Sequence, residues 1–201
     1  MKREMTLVNR DGLDIIKPVI DKIGNGVRYL LNSKTMCKAF KKIVVELQLH
    51  GRMQVLDTKP RWNSTWLMLS TAYFYKDAWP RYVEENVAFT HYLPNAIDWE
   101  RIYDICQFLE VFFDVTEIIS GSYYPTVNLF LAELYRVKVL LDKHSQGSTK
   151  PHLQMLATEM KLKYDKYWTQ NNILISIGAA LDPRYDNLFI KLFIVTLNSC
   201  Q

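Results

Sequence analysis

Two neighbouring side chains in Pro60-Arg61-Trp62-Asn63-Ser64-Thr65-Trp66 could do chemistry together. Arg61 is an always-charged guanidinium, and Trp62 beside it carries a wide indole face. Such a pair can grip a phosphate with the first residue and stack a base on the second. The blander and commoner fate of these residue types makes Trp62 a core aromatic and Arg61 its solvated neighbour. Two residues alone leave both readings open.

No other stretch offers a reactive set. The chain has no glycine-rich phosphate loop, nucleophile elbow, metalloprotease helix or zinc-ligand spacing. Cys37, Cys106 and Cys200 lie far apart, and so do His50, His91, His144 and His152. Free thiols in a reducing compartment are therefore expected, and no metal ligands or cofactor. Asp11 precedes Gly12, but a two-metal centre needs several converging carboxylates and none is evident, so it reads as a surface or helix-terminal acid. Asp98, Glu100, Asp104, Glu110, Asp114 and Glu117 read as the solvated side of one amphipathic helix. Trp99, Tyr103, Phe108, Phe112, Phe113, Tyr123 and Tyr124 read mainly as core. No catalytic residue is expected.

The elements that must position Arg61 and Trp62 differ on the two sides of them. Across 201 residues the net charge is +4, but residues 1–62 hold 13 Lys/Arg against 6 Asp/Glu, a net of +7. Residues 63–201 hold 12 against 15, a net of −3. A basic first third facing a polyanion fits that imbalance. Hydrophobic residues at 49% with only 7 Gly and 7 Pro exclude a largely disordered chain. The start is charged, and no run reaches the ~20 apolar residues of a membrane span, so a soluble intracellular protein without membrane contact is expected.

Residues 5–32 carry a helical apolar stripe, expected to bend or break near Pro18 and Gly24-Asn25-Gly26. A second amphipathic helix is predicted at roughly 35–49, with Phe40, Ile43, Val44 and Leu47 on one face and Lys38, Lys41 and Lys42 off it. Met53 to Asp57 suggests a short buried strand, which Pro60 can close. Asn63 or Ser64 can then cap a helix running to Ala78, and Pro80 should kink or end it. Further helices are predicted from Asp98 to Ser120 and from Pro125 to Leu141, with a linker at 144–150. The next, from Pro151, is expected to break at Asn171-Asn172, before a short apolar run at 173–181. Residues 188–195 are apolar on all sides and look like an element without its partner.

Thr58-Lys59-Pro60-Arg61-Trp62-Asn63-Ser64-Thr65-Trp66-Leu67-Met68-Leu69 resembles the TRWNSTYLML signature of hAT-superfamily transposases. That superfamily includes the plant BED-zinc-finger proteins of the daysleeper and ricesleeper type. The segments at 108–131, 160–168 and 181–185 are similar to the family in the same order, so the likeness covers most of residues 5–186. Just ahead of the arginine stands Lys59-Pro60, where the family usually has threonine preceded by proline. Arg-Trp-Asn-Ser-Thr is intact.

The resemblance implies a mainly α chain. Residues 1–62 would be the end of the first half of a ribonuclease-H-like core, with one or two short strands, and 63–201 an all-helical insertion region. It implies an internal stretch of the family's length, lacking the segments with the three metal-binding carboxylates and the zinc finger, hence no catalysis. It also implies DNA binding through Arg61 and Trp62, the tryptophan stacking on distorted DNA, and a nuclear location. DNA is the expected partner, with a protein partner or self-association through the C-terminal apolar segment as a further possibility. The rival function is a helical protein–protein interaction module that no longer touches DNA.

Overall fold

A computed structural model of the chain describes residues 16–49, 62–120, 127–147 and 149–180. Among these residues every regular element is helical. The strand expected at 53–57 lies outside the described residues, as do Asp11, Arg61 and the apolar segment 188–195. The helices are α1 (Lys17–Leu31), α2 (Lys34–Glu46), α3 (Trp62–Phe74), α4 (Ala78–Glu85), α5 (Ala96–Ser120), α6 (Val127–Gly147) and α7 (Pro151–Ala180), with a 3-10 turn at Val87–Tyr92. They form two compact units that divide within α5, Met1–Leu109 and Glu110–Gln201. Trp62, where the expected domain boundary fell, opens α3 inside the first unit.

In the first unit the apolar stripe of α1 is continuous: Val19, Ile23, Val27 and Leu30 are all buried at three- and four-residue steps. The interruption expected at Pro18 and Gly24–Gly26 does not occur. Pro18 lies in the first turn of α1, where its missing N–H has no intrahelical partner to lose. Gly26 stays helical because something must come close to it. A Cβ there would lie 2.7 Å and 2.8 Å from Cζ3 and Cη2 of Trp79, and 3.1 Å from Cβ of Tyr92. The absent side chain is the slot into which Trp79 packs.

Ser33 ends the break between α1 and α2, its hydroxyl accepting a hydrogen bond from the Thr35 amide at 3.2 Å. α2 buries Phe40 and Ile43. α3 stops at Phe74, and the turn at 75–77 separates it from α4, so the break comes before Pro80. Pro80 sits in the first turn of α4, again where no backbone bond is lost. The core of this unit is aromatic. Phe89, on the 3-10 turn, is ringed by Tyr82 (5.0 Å), Trp79 (5.2 Å), Tyr29 (5.6 Å) and Tyr92 (5.7 Å). These tilted and edge-on pairs are the geometry ring quadrupoles favour.

The first turn of α5 closes a reciprocal cap. The Asp98 amide donates to Oδ1 of Asn95 at 2.8 Å, and the Asn95 amide donates to Oδ2 of Asp98 at 3.1 Å. Lys22 of α1 adds a third bond to Oδ2 of Asp98 at 2.7 Å. Asp98 and Asp104 are both buried, which corrects their expected place on a solvated face.

In the second unit α6 and α7 pack as an antiparallel hairpin. Leu131, Val137 and Leu141 are buried on α6, and Leu153, Leu156, Ala157, Met160 and Trp168 on α7. Trp168 packs with Leu131, flanked by Leu134, Tyr135 and Tyr164. The Tyr164 hydroxyl donates to the carbonyl of Leu134 at 3.0 Å, and burial pushes that phenol's pKa up. Lys138, almost fully buried, pairs with Asp142 at 3.5 Å, and Lys161 of α7 binds the same carboxylate. Two expectations are corrected here. His144 to Gly147 continues α6, so the linker narrows to the residues just before Pro151. α7 runs without a break through Asn171-Asn172 to Ala180. Asparagine costs a helix interior less than 1 kcal/mol relative to alanine, so a helix already anchored by buried neighbours carries it.

Candidate nucleic-acid interface

Trp62 is the first residue of α3, and its side chain is half-buried. Asn63 and Ser64, expected to cap this helix, therefore lie inside its first turn. Trp62, Trp66, Leu69 and Tyr73 follow one another at four-, three- and four-residue steps and lie along one side of α3. That side is held firmly. Trp66 is half-buried, and its indole N–H donates to the carbonyl of Cys106 on α5 at 3.1 Å. Leu69 is fully buried.

Two turns further on, Tyr73 lies between two aromatic rings of α5, 5.4 Å from Tyr103 and 6.3 Å from Trp99. The Lys76 ammonium stands over the Tyr73 ring at 4.9 Å from its centroid, a cation–π contact. Trp99 in turn meets Trp79 edge-on at 5.7 Å. The row Trp66–Tyr73–Trp99 therefore fixes α3 against α5 and leaves the first turn of α3 at the end of a rigid element. The Asn63 Oδ1 atom in that turn is buried and has no hydrogen-bond partner among the described residues.

Of the two residues singled out by the sequence, the structure describes only Trp62, so the geometry of the Arg61–Trp62 pair lies outside it. Among the described residues no three His, Cys, Asp or Glu side chains come together in a way that could hold a metal ion. No helix among them is long and apolar enough to cross a membrane.

Two interactions near this site escaped sequence reasoning. The Lys22–Asp98 pair spans 76 positions, and no local pattern announces it. Burial alone would raise the Asp98 pKa, but the Lys22 ammonium, the Asn95 amide and the charge of Arg101 outweigh it and hold the carboxyl below its ordinary value. The Trp66 bond to a backbone carbonyl was equally invisible, although an indole N–H in a half-buried place requires some acceptor.

The family profile of the ZBED1 RNase-like helical domain matches residues 2–108, more than half of the chain. The chain belongs to the hAT transposase family. A second profile, the hAT-like transposase RNase-H fold, matches residues 128–199 of this hAT-family chain. The first match ends one residue before the division between the two compact units, and the second lies wholly inside the second unit.

Among its relatives, an AC transposase of Zea mays is 32% identical over 191 residues, which cover 94% of this chain and 24% of that protein. Zinc finger BED domain-containing protein RICESLEEPER 1 of Oryza sativa subsp. japonica is 28% identical over 182 residues, 90% of this chain and 25% of its own length. DAYSLEEPER of Arabidopsis thaliana is 25% identical over 154 residues, 73% of this chain and 21% of its own. The chain thus spans about a quarter of the length of the curated relatives it matches. No solved structure matches it.

Proposed function

We propose that this transposase-derived chain associates with DNA in the nucleus and does so without cutting it. The observation that carries the reading is Trp62, a half-buried indole at the opening of a helix pinned by Trp66 and Tyr73, inside the Arg-Trp-Asn-Ser-Thr sequence typical of the family. A rigidly mounted indole can stack on an unpaired or displaced base with little loss of side-chain freedom, and the neighbouring Arg61 guanidinium would hold the adjoining phosphate. The net +7 of residues 1–62 supports the same polyanionic partner. Relatives whose names carry "transposase" and "zinc finger BED domain" support DNA as that partner.

Binding to duplex and to distorted or single-stranded DNA, titrated against salt, tests this. Affinity should fall steeply as salt rises, because each phosphate neutralised releases counterions. Trp62→Ala should lose about 1–3 kcal/mol on the single-stranded or distorted substrate, the worth of one stacked base. Flat, weak binding at every salt concentration would remove DNA from the account. Nicking or strand transfer by the purified chain with Mg²⁺ or Mn²⁺ would overturn the non-catalytic part.

A second reading is favoured by Met155 and Leu162, exposed and seven residues apart on one side of α7. An exposed apolar pair at that spacing suits a partner helix. The same salt titration separates the two, since an interaction module binds little DNA at any salt.

A further inference from the structure

α2 sorts its residues into two sides. Phe40 and Ile43 face the core, and Lys34, Lys38, Lys41 and Lys42 are all exposed. Steps of four, three and one place the four ammonium groups within about 100° of arc on one side, along about 12 Å of helix axis. Among the described residues, no carboxylate lies within ion-pair range of Lys34, Lys38 or Lys41. Lys42 has Glu46 at 3.6 Å, an exposed pair that contributes little. On α1, Lys22 is bound to Asp98 and the exposed Arg28 donates to Asn25 at 2.6 Å, while Lys17 is exposed at the start of that helix. The row is also stiffly mounted. Ser33 caps its first turn, and Phe40 meets Tyr75 and Tyr82 edge-on at 6.2 Å and 5.7 Å.

We infer that this face of α2 is a phosphate track for duplex DNA, an inference that rests on the DNA-associated reading above and gives it a second contact away from Trp62. Four exposed cations along about 12 Å, three of them with no described carboxylate in range, suit one strand of a duplex, which carries one negative charge per about 3.4 Å. Lysine suits contacts that position without reading sequence, because it acts as a point charge with rotatable donors. A lipid surface fits less well. An interfacial helix needs its apolar side free to insert, and that side of α2 is spent in the core, with Val45 the exposed apolar residue within the lysine row.

The test uses the full chain and a short duplex of arbitrary sequence, with the slope of log Kobs against log salt measured from about 50 to about 200 mM. The variant K34Q/K38Q/K41Q/K42Q should bind with a slope shallower by three to four, about 0.9 for each phosphate contact removed. Glutamine and lysine have nearly equal helix propensity, so helicity and melting should be unchanged. The control K143Q/K166Q removes two exposed lysines from α6 and α7 and should leave the slope at the wild-type value. If the quadruple variant keeps the wild-type slope while the wild type binds DNA, the track is wrong and the DNA reading stands. An equal slope change per lysine in the control would also overturn it, by showing diffuse charge. If the wild type shows no salt-dependent binding, the broader reading falls and the track with it. Should the quadruple variant lose helicity, K38Q and K41Q singly carry the test, each expected to lower the slope by about one.

Discussion

Replacing Gly26 by alanine should destabilise the first unit, although the same change is ordinarily favourable inside a helix. Alanine has higher helix propensity than glycine by about 1 kcal/mol. At Gly26 the added methyl would meet two ring atoms of Trp79 at 2.7 Å and 2.8 Å and the Tyr92 Cβ at 3.1 Å. Trp79 is fully buried and wedged against Phe89 and Trp99, so it has nowhere to go. Overpacking of this kind costs about 1–3 kcal/mol, and two contacts this short place it at the upper end. The net loss should be about 2 kcal/mol once the propensity gain is subtracted.

Gly24, one position before Asn25 on the same helix, provides the internal control. A Cβ there meets only Met68, at 3.7 Å and 3.9 Å, which is ordinary contact. Gly24→Ala should therefore stabilise by about 0.5–1 kcal/mol. Thermal melts followed by far-ultraviolet circular dichroism should move in opposite directions for the two variants, by about 2–4 °C per kcal/mol for a chain of this size. Trp79→Phe removes both offending ring atoms and should recover part of the Gly26→Ala loss, giving a coupling energy of at least about 0.5 kcal/mol in a double-mutant cycle. Equal melting temperatures for Gly26→Ala and Gly24→Ala would refute the slot argument.

Because the Asp98 pKa is lowered on folding, its contribution is fully present above the unfolded value near 3.8 and is lost as the pH falls through the folded value. Melts of wild type and Asp98→Asn should thus differ at neutral pH and converge in the acid range; a constant gap would show that the charge is irrelevant. Asp142→Ala removes the carboxylate that pairs with the buried Lys138 ammonium, and should cost about 3–5 kcal/mol in chemical denaturation, while Lys138→Met with Asp142→Leu should recover most of it. Trp62→Ala should lower stability by clearly less than the ~3–5 kcal/mol of a core tryptophan, since the indole is only half-buried. A collapse of its melting temperature would return Trp62 to the core and end the stacking role.

Local pattern determined the helices whose stripes repeat within a few residues. Val19, Ile23, Val27 and Leu30 of α1, Phe40 and Ile43 of α2, and Leu153, Leu156 and Met160 of α7 are buried where three- and four-residue steps put them. The break at Asn32-Ser33 also lies in the types of the residues themselves, as did the Arg-Trp-Asn-Ser-Thr match to a family. Breakers were read less well, because a breaker's effect depends on what surrounds it. Pro18 and Pro80 lie in first turns, where proline costs nothing, and Asn171-Asn172 sits in a helix that its neighbours hold. Gly26 looked like a weak point of α1 and is the site of closest packing, a fact that exists only once Trp79 arrives from 53 positions away. Asp98 and Asp104 shared the helical period of a solvated face; partners distant in sequence, Lys22 for Asp98, allow burial that no local rule announces. The candidate site divides in the same way. The residue types of Trp62 and of the α2 lysines were legible, whereas their exposure and the rigidity of their helices follow from contacts made across the unit, and those only the tertiary structure could decide.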